Sequence, residues 1–235
     1  MIILPIAGTK REYRIAPSKI IAVGLNYREH VAESNAFDHK TLQIPTEPVL
    51  FAKTPNCLIG PGEPILIPSW AKSYGFKDFR VDHEAELAIL IGRRGKHIAE
   101  ADALDYVFGY TCFNDVSQRN IQKTDVSGWF RGKSFDTFGP VGPVVVPRDA
   151  LPGVGDAAIS CRVNGKPTQS SRTSEMIFSI AQLIAYISDN MTLEEGDLIA
   201  TGTPSGVSPI RAGDLVEVEI EGIGILRNPV VDESA

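Results

Sequence analysis

The stretch VDHEAELAIL, residues 81–90, constrains the fold more than any other part of the chain. Successive side chains of a strand point to opposite faces, so Ala85, Leu87, Ile89 and Ile91 form one wholly apolar face. Glu84 and Glu86 share the other face with Ala88 and Leu90. The apolar face has to lie against a core, whereas an unpaired buried carboxylate costs several kcal/mol. Three arrangements reconcile the two faces. The strand sits at an edge with its acidic face wet. The carboxylates form an acid/base pair of the kind glycosidases use. Or they bind a hard cation, since same-face carboxylates supply the oxygen ligands that Mg²⁺ and Mn²⁺ prefer. The local pattern leaves all three open.

Elsewhere the chain is a succession of short β-rich segments, among them 2–6, 20–24, 48–53, 63–68 and 108–115, bracketed by many of its 21 glycines and 16 prolines. Asn164-Gly165 reads as a hairpin turn. Short helices are expected after Gly24, over residues 99–107 and in the polar stretch after Asp115. The stretch SEMIFSIAQLIAYISDNMTL (174–193) carries helical apolar spacing, with Ser174 as its expected N-cap. Regular βαβ alternation is missing, which predicts a β-rich α+β fold with few short helices. No linker divides the 235 residues, so 1–235 reads as one domain, with residues 1–45 as a small cap or lid and 46–235 as the core.

Composition narrows the partners. The chain is 43% hydrophobic and 22% charged, typical of a soluble globular protein. A net charge of −6 carries no electrostatic footprint for nucleic acid or an anionic membrane. The longest helix-compatible apolar run, 176–188, is too short to span a bilayer, and the N-terminus does not read as a signal peptide. Cys57, Cys112 and Cys161 are odd in number and far apart, which fits a reduced cytoplasm better than a disulfide framework or zinc site.

Four further features carry candidate chemistry. Asp115 stands where a strand gives way to a polar helix and is either a third oxygen ligand or a helix N-cap. His30 and Glu33 lie at i and i+3. A carboxylate beside an imidazole orients it and raises its basicity, as water activation requires; the alternative is a surface pair. ATGTPSGV (200–207) lets backbone approach a ligand, with its amides and the Thr203 hydroxyl available to a carboxylate, but it lacks a Walker-A lysine or GxGxxG spacing. Arg131 and Lys133 stand among aromatics and glycines, where a cation meets an anionic substrate. Arg119 and Gln122, at +4 and +7 from Asp115, would share its face in a helix and point at a bound carboxylate.

Six ordered blocks, VGLNYREHVAE, EPVLFAKTPNCLIGPGEPILIP, VDHEAELAILIG, VFGYTCFNDVSQRNIQ, RGKSFDTFGPVGP and GDLIATGTPSGV, resemble the fumarylacetoacetate hydrolase family from about residue 18 to 230. The compact length is similar to its acylpyruvase or fumarylpyruvate hydrolase branch. The resemblance implies a mixed β-roll, a homodimer, and a Mg²⁺ or Mn²⁺ ion held by Glu84, Glu86 and Asp115. It implies that His30 and Glu33 form a water-activating dyad on a lid and that Lys133 is catalytic. Arg119, Gln122, Gly202 and Thr203 fall on positions that hold substrate or metal-bound water. The implied activity is hydrolysis of a C–C bond in a 2,4-dioxo acid, such as acetylpyruvate or fumarylpyruvate, through a pyruvate enolate held at the metal. Oxaloacetate decarboxylation and 2-hydroxyhepta-2,4-diene-1,7-dioate isomerisation need related chemistry; a non-catalytic 2-oxo acid binding protein is the alternative of another class. Two positions depart from the pattern: Leu25 stands where many members carry arginine, and Asn120 replaces an acid.

Overall fold

The computed structural model describes residues 2–38, 43–126 and 128–234. In chain order its strands are β1 (Ile2–Pro5), β2 (Glu12–Ile15), β3 (Ile20–Gly24), β4 (Val49–Lys53), β5 (Leu58–Ile59), β6 (Ile65–Ile67), β7 (Val81–Asp82), β8 (Ala85–Ile91), β9 (Val107–Asn114), β10 (Ser117–Gln118), β11 (Gly139–Pro147), β12 (Ala158–Val163), β13 (Lys166–Arg172), β14 (Leu198–Ala200), β15 (Leu215–Ile220) and β16 (Gly224–Asp232). The α-helices are α1 (Arg28–Asp38), α2 (Arg119–Thr124), α3 (Phe130–Lys133) and α4 (Ile180–Asn190). This is the expected strand-rich α+β fold with few short helices.

All seven residues of β8 are buried, on both faces. The reason is its place in a seven-stranded sheet of order β4-β3-β14-β8-β9-β11-β5, where β14 flanks it on one side and β9 on the other. The wet-edge alternative is thereby removed. A second sheet, β13-β12-β15-β16-β6, packs across the first, with β12 and β15 over β8 and β9. Leu87, Cys112, Val218 and Leu226 belong to the one apolar cluster that joins them. Of the first 45 residues, β3 is an inner strand of the large sheet, parallel to β14 and antiparallel to β4, so this stretch contributes to the sheet itself.

The turn Asn164-Gly165 joins β12 to β13 with φ of 52° and 75°, the left-handed pair that a tight hairpin requires. Helix α4 buries Ile180, Leu183, Ile184 and Ile187, the i, i+3, i+4, i+7 stripe of an amphipathic helix. It starts later than its apolar spacing indicated. Ser179, not Ser174, is the N-cap, in a reciprocal capping box with Gln182. Ser174 lies in a 3₁₀ turn, Thr173–Glu175, that ends at the extended Met176, and the Ile177 and Phe178 amides donate to the main-chain and side-chain oxygens of Asn26 rather than into a helix. Residues Glu100–Tyr106 form a 3₁₀ helix rather than an α-helix. No helix of the described residues is long and apolar enough to cross a membrane.

Candidate active site

The site grows from the end of the β8–β9 ladder. Ala85 pairs with Asn114. One step further the Asp115 amide donates to the Glu84 carbonyl at 2.9 Å, and the Glu84 amide donates to Asn114 Oδ1 at 2.9 Å. Asp115 is thus delivered beside the two glutamates. One oxygen from each of Glu84, Glu86 and Asp115 lies within 4.8 Å of the others, and all three residues are buried. Asp115 caps no helix. Gln118 caps α2, its side chain accepting from the Ile121 amide at 2.6 Å. Because α2 begins only at Arg119, the helical face expected to join Asp115, Arg119 and Gln122 does not form. Arg119 reaches the cluster by another route: Nε donates to Asp82 at 2.7 Å, Nη1 to Gln122 Oε1 at 2.8 Å and Nη2 to Glu84 Oε1.

Two buried lysines face the carboxylates. Lys133 Nζ donates to Glu84 Oε2 at 2.8 Å and Asp115 Oδ2 at 2.6 Å. Lys53 Nζ lies 2.7 Å from Asp115 Oδ1 and donates to the carbonyls of Val116 and Lys133. Sequence reasoning missed Lys53; the signal was a lysine closing the apolar strand VLFAK, where a solvated end is the ordinary reading. Burial works against ionising Glu84, but Arg119 and Lys133 hold its carboxyl well below the usual range. Glu86 goes the other way. Burial, then the charges of Asp115 and Glu84, push its carboxyl well above the usual range, with Lys133 and the Gly202 amide only partly offsetting them. Among the described residues no ion pair includes Glu86, whose Oε2 accepts from Gly202 N–H at 2.9 Å. Three converging hard oxygen donors, one of them lacking a cationic partner, fit a hard divalent ion.

A cavity of about 600 Å³ opens onto Glu84 and Glu86 and is lined also by Leu25, His30, Glu33, Phe51, Trp129 and Lys133. Against the surface-pair alternative, His30 and Glu33 face this cavity and are largely covered. His30 Nδ1 lies 3.1 Å from Glu33 Oε2, and Glu33 Oε1 accepts from the Gly206 amide at 3.0 Å. Burial raises the Glu33 carboxyl, but His30 and the Gly206 amide outweigh it and hold the group below its usual range. Helix α1 is docked to the 200–207 loop a second time by Ser205 Oγ donating to Glu29 at 3.1 Å.

The loop itself is turned inward. Gly202, at φ +96°, has no room for a side chain: a Cβ would lie 2.8 Å from Asn26 Cβ and 3.0 Å from the Val23 carbonyl. Thr203 lines the cavity, but its hydroxyl donates to the Ala85 carbonyl at 2.9 Å and accepts from Gln169 Nε2 at 2.8 Å. The proton expected to meet a substrate carboxylate is therefore engaged within the protein. Gln122 lines the cavity beside Arg119. Arg131 is not brought in; it bonds the exposed Tyr74 hydroxyl at 2.9 Å. Asn120 donates to the Asp78 carbonyl at 2.9 Å and accepts from the Arg80 amide at 2.9 Å. An acid in its place would lack the donor. Leu25 presents its side chain to the cavity from left-handed backbone, φ +58°.

His83, next to Glu84, is wholly buried between Gln169 Oε1 at 3.2 Å and Ser208 Oγ at 2.8 Å. Burial pulls its pKa down to about 4. Between that value and the ordinary value of about 6.5 the unfolded chain binds the proton more readily than the folded one, so stability rises with pH across this window. On acidification from about pH 6.5 towards 4, His83 is expected to withdraw up to ~3 kcal/mol of stability. Urea unfolding of wild type and His83→Gln at pH 7 and 4.5 checks this: the variant's acid limb should be flatter, and parallel limbs would refute the assignment.

The sequence and fold are similar to those of known proteins. The family model for the fumarylacetoacetate hydrolase C-terminal domain matches residues 19–231. A mitochondrial oxaloacetate tautomerase of Xenopus laevis is 43% identical over 223 residues, covering 92% of this chain and 66% of that protein. The crystal structure of 2-hydroxyhepta-2,4-diene-1,7-dioate isomerase from Mycobacterium marinum is 40% identical, with a TM-score of 0.81 over 97% of this chain and 83% of that one. Fumarylpyruvate hydrolase from Pseudomonas aeruginosa, in complex with Mn²⁺ and pyruvate, is 29% identical, with a TM-score of 0.86 over 99% of this chain and 96% of that one. With the family model spanning nearly the whole sequence, and a fold shared with fumarylpyruvate hydrolase over 99% of this chain, the chain belongs to the fumarylacetoacetate hydrolase family.

Proposed function

We propose that the chain is a divalent-metal-dependent enzyme that interconverts the keto and enol forms of a 2-oxo dicarboxylic acid, of which oxaloacetate is the simplest. The observation that carries this reading is that Glu84 and Glu86, which cluster with Asp115, line the same cavity as the His30–Glu33 pair. The 43% identity to an oxaloacetate tautomerase supports the choice of substrate. Glu84, Glu86 and Asp115 would hold Mg²⁺ or Mn²⁺, which supplies Lewis-acid polarisation of the 2-oxo group.

The remaining work falls to the chain's own residues. With Nδ1 held by Glu33, His30 has Nε2 left to take a proton from C3 of the 2-oxo acid, and the electron pair moves onto the C2 oxygen. Delivery of that proton to the C2 oxygen gives the enol, and the same two transfers in reverse return the ketone. Glu33, itself fixed by the Gly206 amide, keeps the ring in one tautomer and orientation. Lys133, kept charged by Asp115 and Glu84 despite its burial, adds positive potential beside the developing oxyanion.

Hydrolysis of an acylpyruvate is the second reading. It is favoured by the fit to fumarylpyruvate hydrolase over 96% of that chain. In it, His30 takes its proton from a water that attacks the C4 carbonyl; the C3–C4 bond breaks, and the proton goes to C3 of the leaving pyruvate. One panel separates the readings. Enol absorbance of oxaloacetate, pyruvate release from it, and loss of acetylpyruvate, fumarylpyruvate and a 2-hydroxy-dienedioate are followed with Mg²⁺ or Mn²⁺, and again with EDTA. The expected result is fast decay of the oxaloacetate enol that EDTA abolishes and that His30→Ala slows by about 10²–10⁴-fold. Chelator-insensitive activity on every substrate would sink the metal reading, and an unimpaired His30→Ala would sink the proton-transfer role.

A further inference from the structure

The two glutamates are separated by Ala85, and the backbone of Ala85 is held in an unusual way. Strand β14 pairs with β8 only as far as Ala200 opposite Ala88. Thr201 adds one more contact, to the Leu87 carbonyl, and the left-handed Gly202 then carries the chain away. On that side Ala85 has no strand neighbour. Gln169, which reaches in from β13 of the other sheet, takes its place. Its Oε1 accepts from the Ala85 amide at 2.9 Å, and its Nε2 donates to Thr203 Oγ1 at 2.8 Å. The Thr203 hydroxyl donates in turn to the Ala85 carbonyl at 2.9 Å. These three bonds close a ring around Ala85. The remaining valences of the amide are also filled, by Pro204 O at 2.8 Å and His83 Nδ1 at 3.2 Å, so a side chain only 1% exposed is fully satisfied and has one orientation available.

On the opposite side, Asn114 and Asp115 hold the amide and carbonyl of Glu84. The backbone that bears both glutamates is thus fixed from two directions. We propose that Gln169 is a positioning residue for the metal site: through the ring with Thr203 and Ala85 it fixes the spacing of the Glu84 and Glu86 carboxylates. This rests on the reading that Glu84, Glu86 and Asp115 hold a divalent ion. Groups behind the ligands commonly govern affinity, because Mg²⁺ and Mn²⁺ tolerate little distortion of their oxygen shell. Gln169 itself is not among the residues lining the cavity.

The test is a Mn²⁺ titration followed by the EPR signal of the free ion, with unfolding in EDTA measured alongside. Gln169→Met keeps the side chain's length and removes every bond. Thr203→Val opens the same ring at another member and serves if the first variant fails to fold. Asn228→Leu is the control: it deletes two bonds of similar kind, to the Gly60 and Glu63 carbonyls, in a residue that is also buried, at 2% exposed. The ring variants are expected to weaken Mn²⁺ binding about 10–100-fold, while Asn228→Leu lowers stability and leaves Mn²⁺ affinity unchanged. The double variant should lose little more than the worse single, since a ring opens once. Folded ring variants that bind Mn²⁺ as wild type does, or a control that weakens binding equally, would overturn the proposal. A wild-type chain that binds no Mn²⁺ would overturn the metal reading beneath it.

Discussion

Lys133→Met is expected to destabilise the chain by about 3 kcal/mol in EDTA, near the lower end of the range for breaking a buried ion pair. The side chain is 2% exposed, and its ammonium bridges Glu84 and Asp115, which are themselves buried. Methionine fills the same volume, so the loss is electrostatic rather than a cavity. Its size is limited because Lys53 still faces Asp115 and Arg119 still faces Glu84. Two checks follow from that cause. Adding Asp115→Asn removes one of the stranded charges, so the double variant should lose less than the sum of the singles. Mg²⁺ should shrink the defect, because a bound cation replaces the missing positive charge. Urea unfolding of the four proteins, each with EDTA and with Mg²⁺, reads all of this. A loss below about 1 kcal/mol in EDTA would mean that Lys133 behaves as an exposed pair does.

The same cluster marks where sequence reading ends. Strand β8 was legible because its apolar face is long and strictly alternating, and the two-carboxylate anomaly pointed at the site directly. Even so, the local pattern left a wet edge open. What excluded it was pairing with β14, more than a hundred residues away in sequence, and periodicity carries no information about that. For Asp115 the local pattern leaves a ligand and an N-cap open and the resemblance implies the ligand, while the helical face expected to join it to Arg119 does not form. The intervening residues Ser117–Gln118 form a short strand pairing with β7, and Gln118 spends its side chain on the cap. Lys53 and Gln169 were illegible for another reason. A lysine at a strand end and a glutamine past a hairpin are ordinary surface residues by type. Lys53 reaches Asp115, 62 positions on, through the pairing order of the large sheet, and Gln169 reaches the Ala85 amide, 84 positions back, because β13 of the other sheet crosses there. Ser174 shows the converse. It opens the apolar spacing, but Ile177 stands three residues on, whereas Ser179 has Gln182 there, and the reciprocal capping box places the helix start at Ser179.

Glu86→Gln is expected to change stability in opposite directions with and without metal. In EDTA the wild-type carboxylate is driven away from ionisation by burial and by the charges of Asp115 and Glu84. The isosteric amide removes that repulsion, and its oxygen can still accept from Gly202 N–H, so the variant should be the more stable protein. The sign of the pH dependence follows. A folded pKa raised above its unfolded value means the native state binds more protons across the window between the two. Wild-type stability therefore falls as pH rises through that window, and the advantage of Glu86→Gln grows with pH. In Mg²⁺ the order should reverse. A ligand present at about 100 times its dissociation constant adds about 2.7 kcal/mol to the protein that binds it. An amide in place of a charged ligand forfeits most of that gain and, with it, the enol-exchange activity. Thermal unfolding of both proteins at pH 6 and 8, in EDTA and in Mg²⁺, gives the four differences. A destabilised variant in EDTA would show that Glu86 is already compensated by the protein. A variant that keeps the full Mg²⁺ shift would show that the ion does not need Glu86, and the reason for burying this carboxylate in the centre of a sheet would have to be sought outside metal binding.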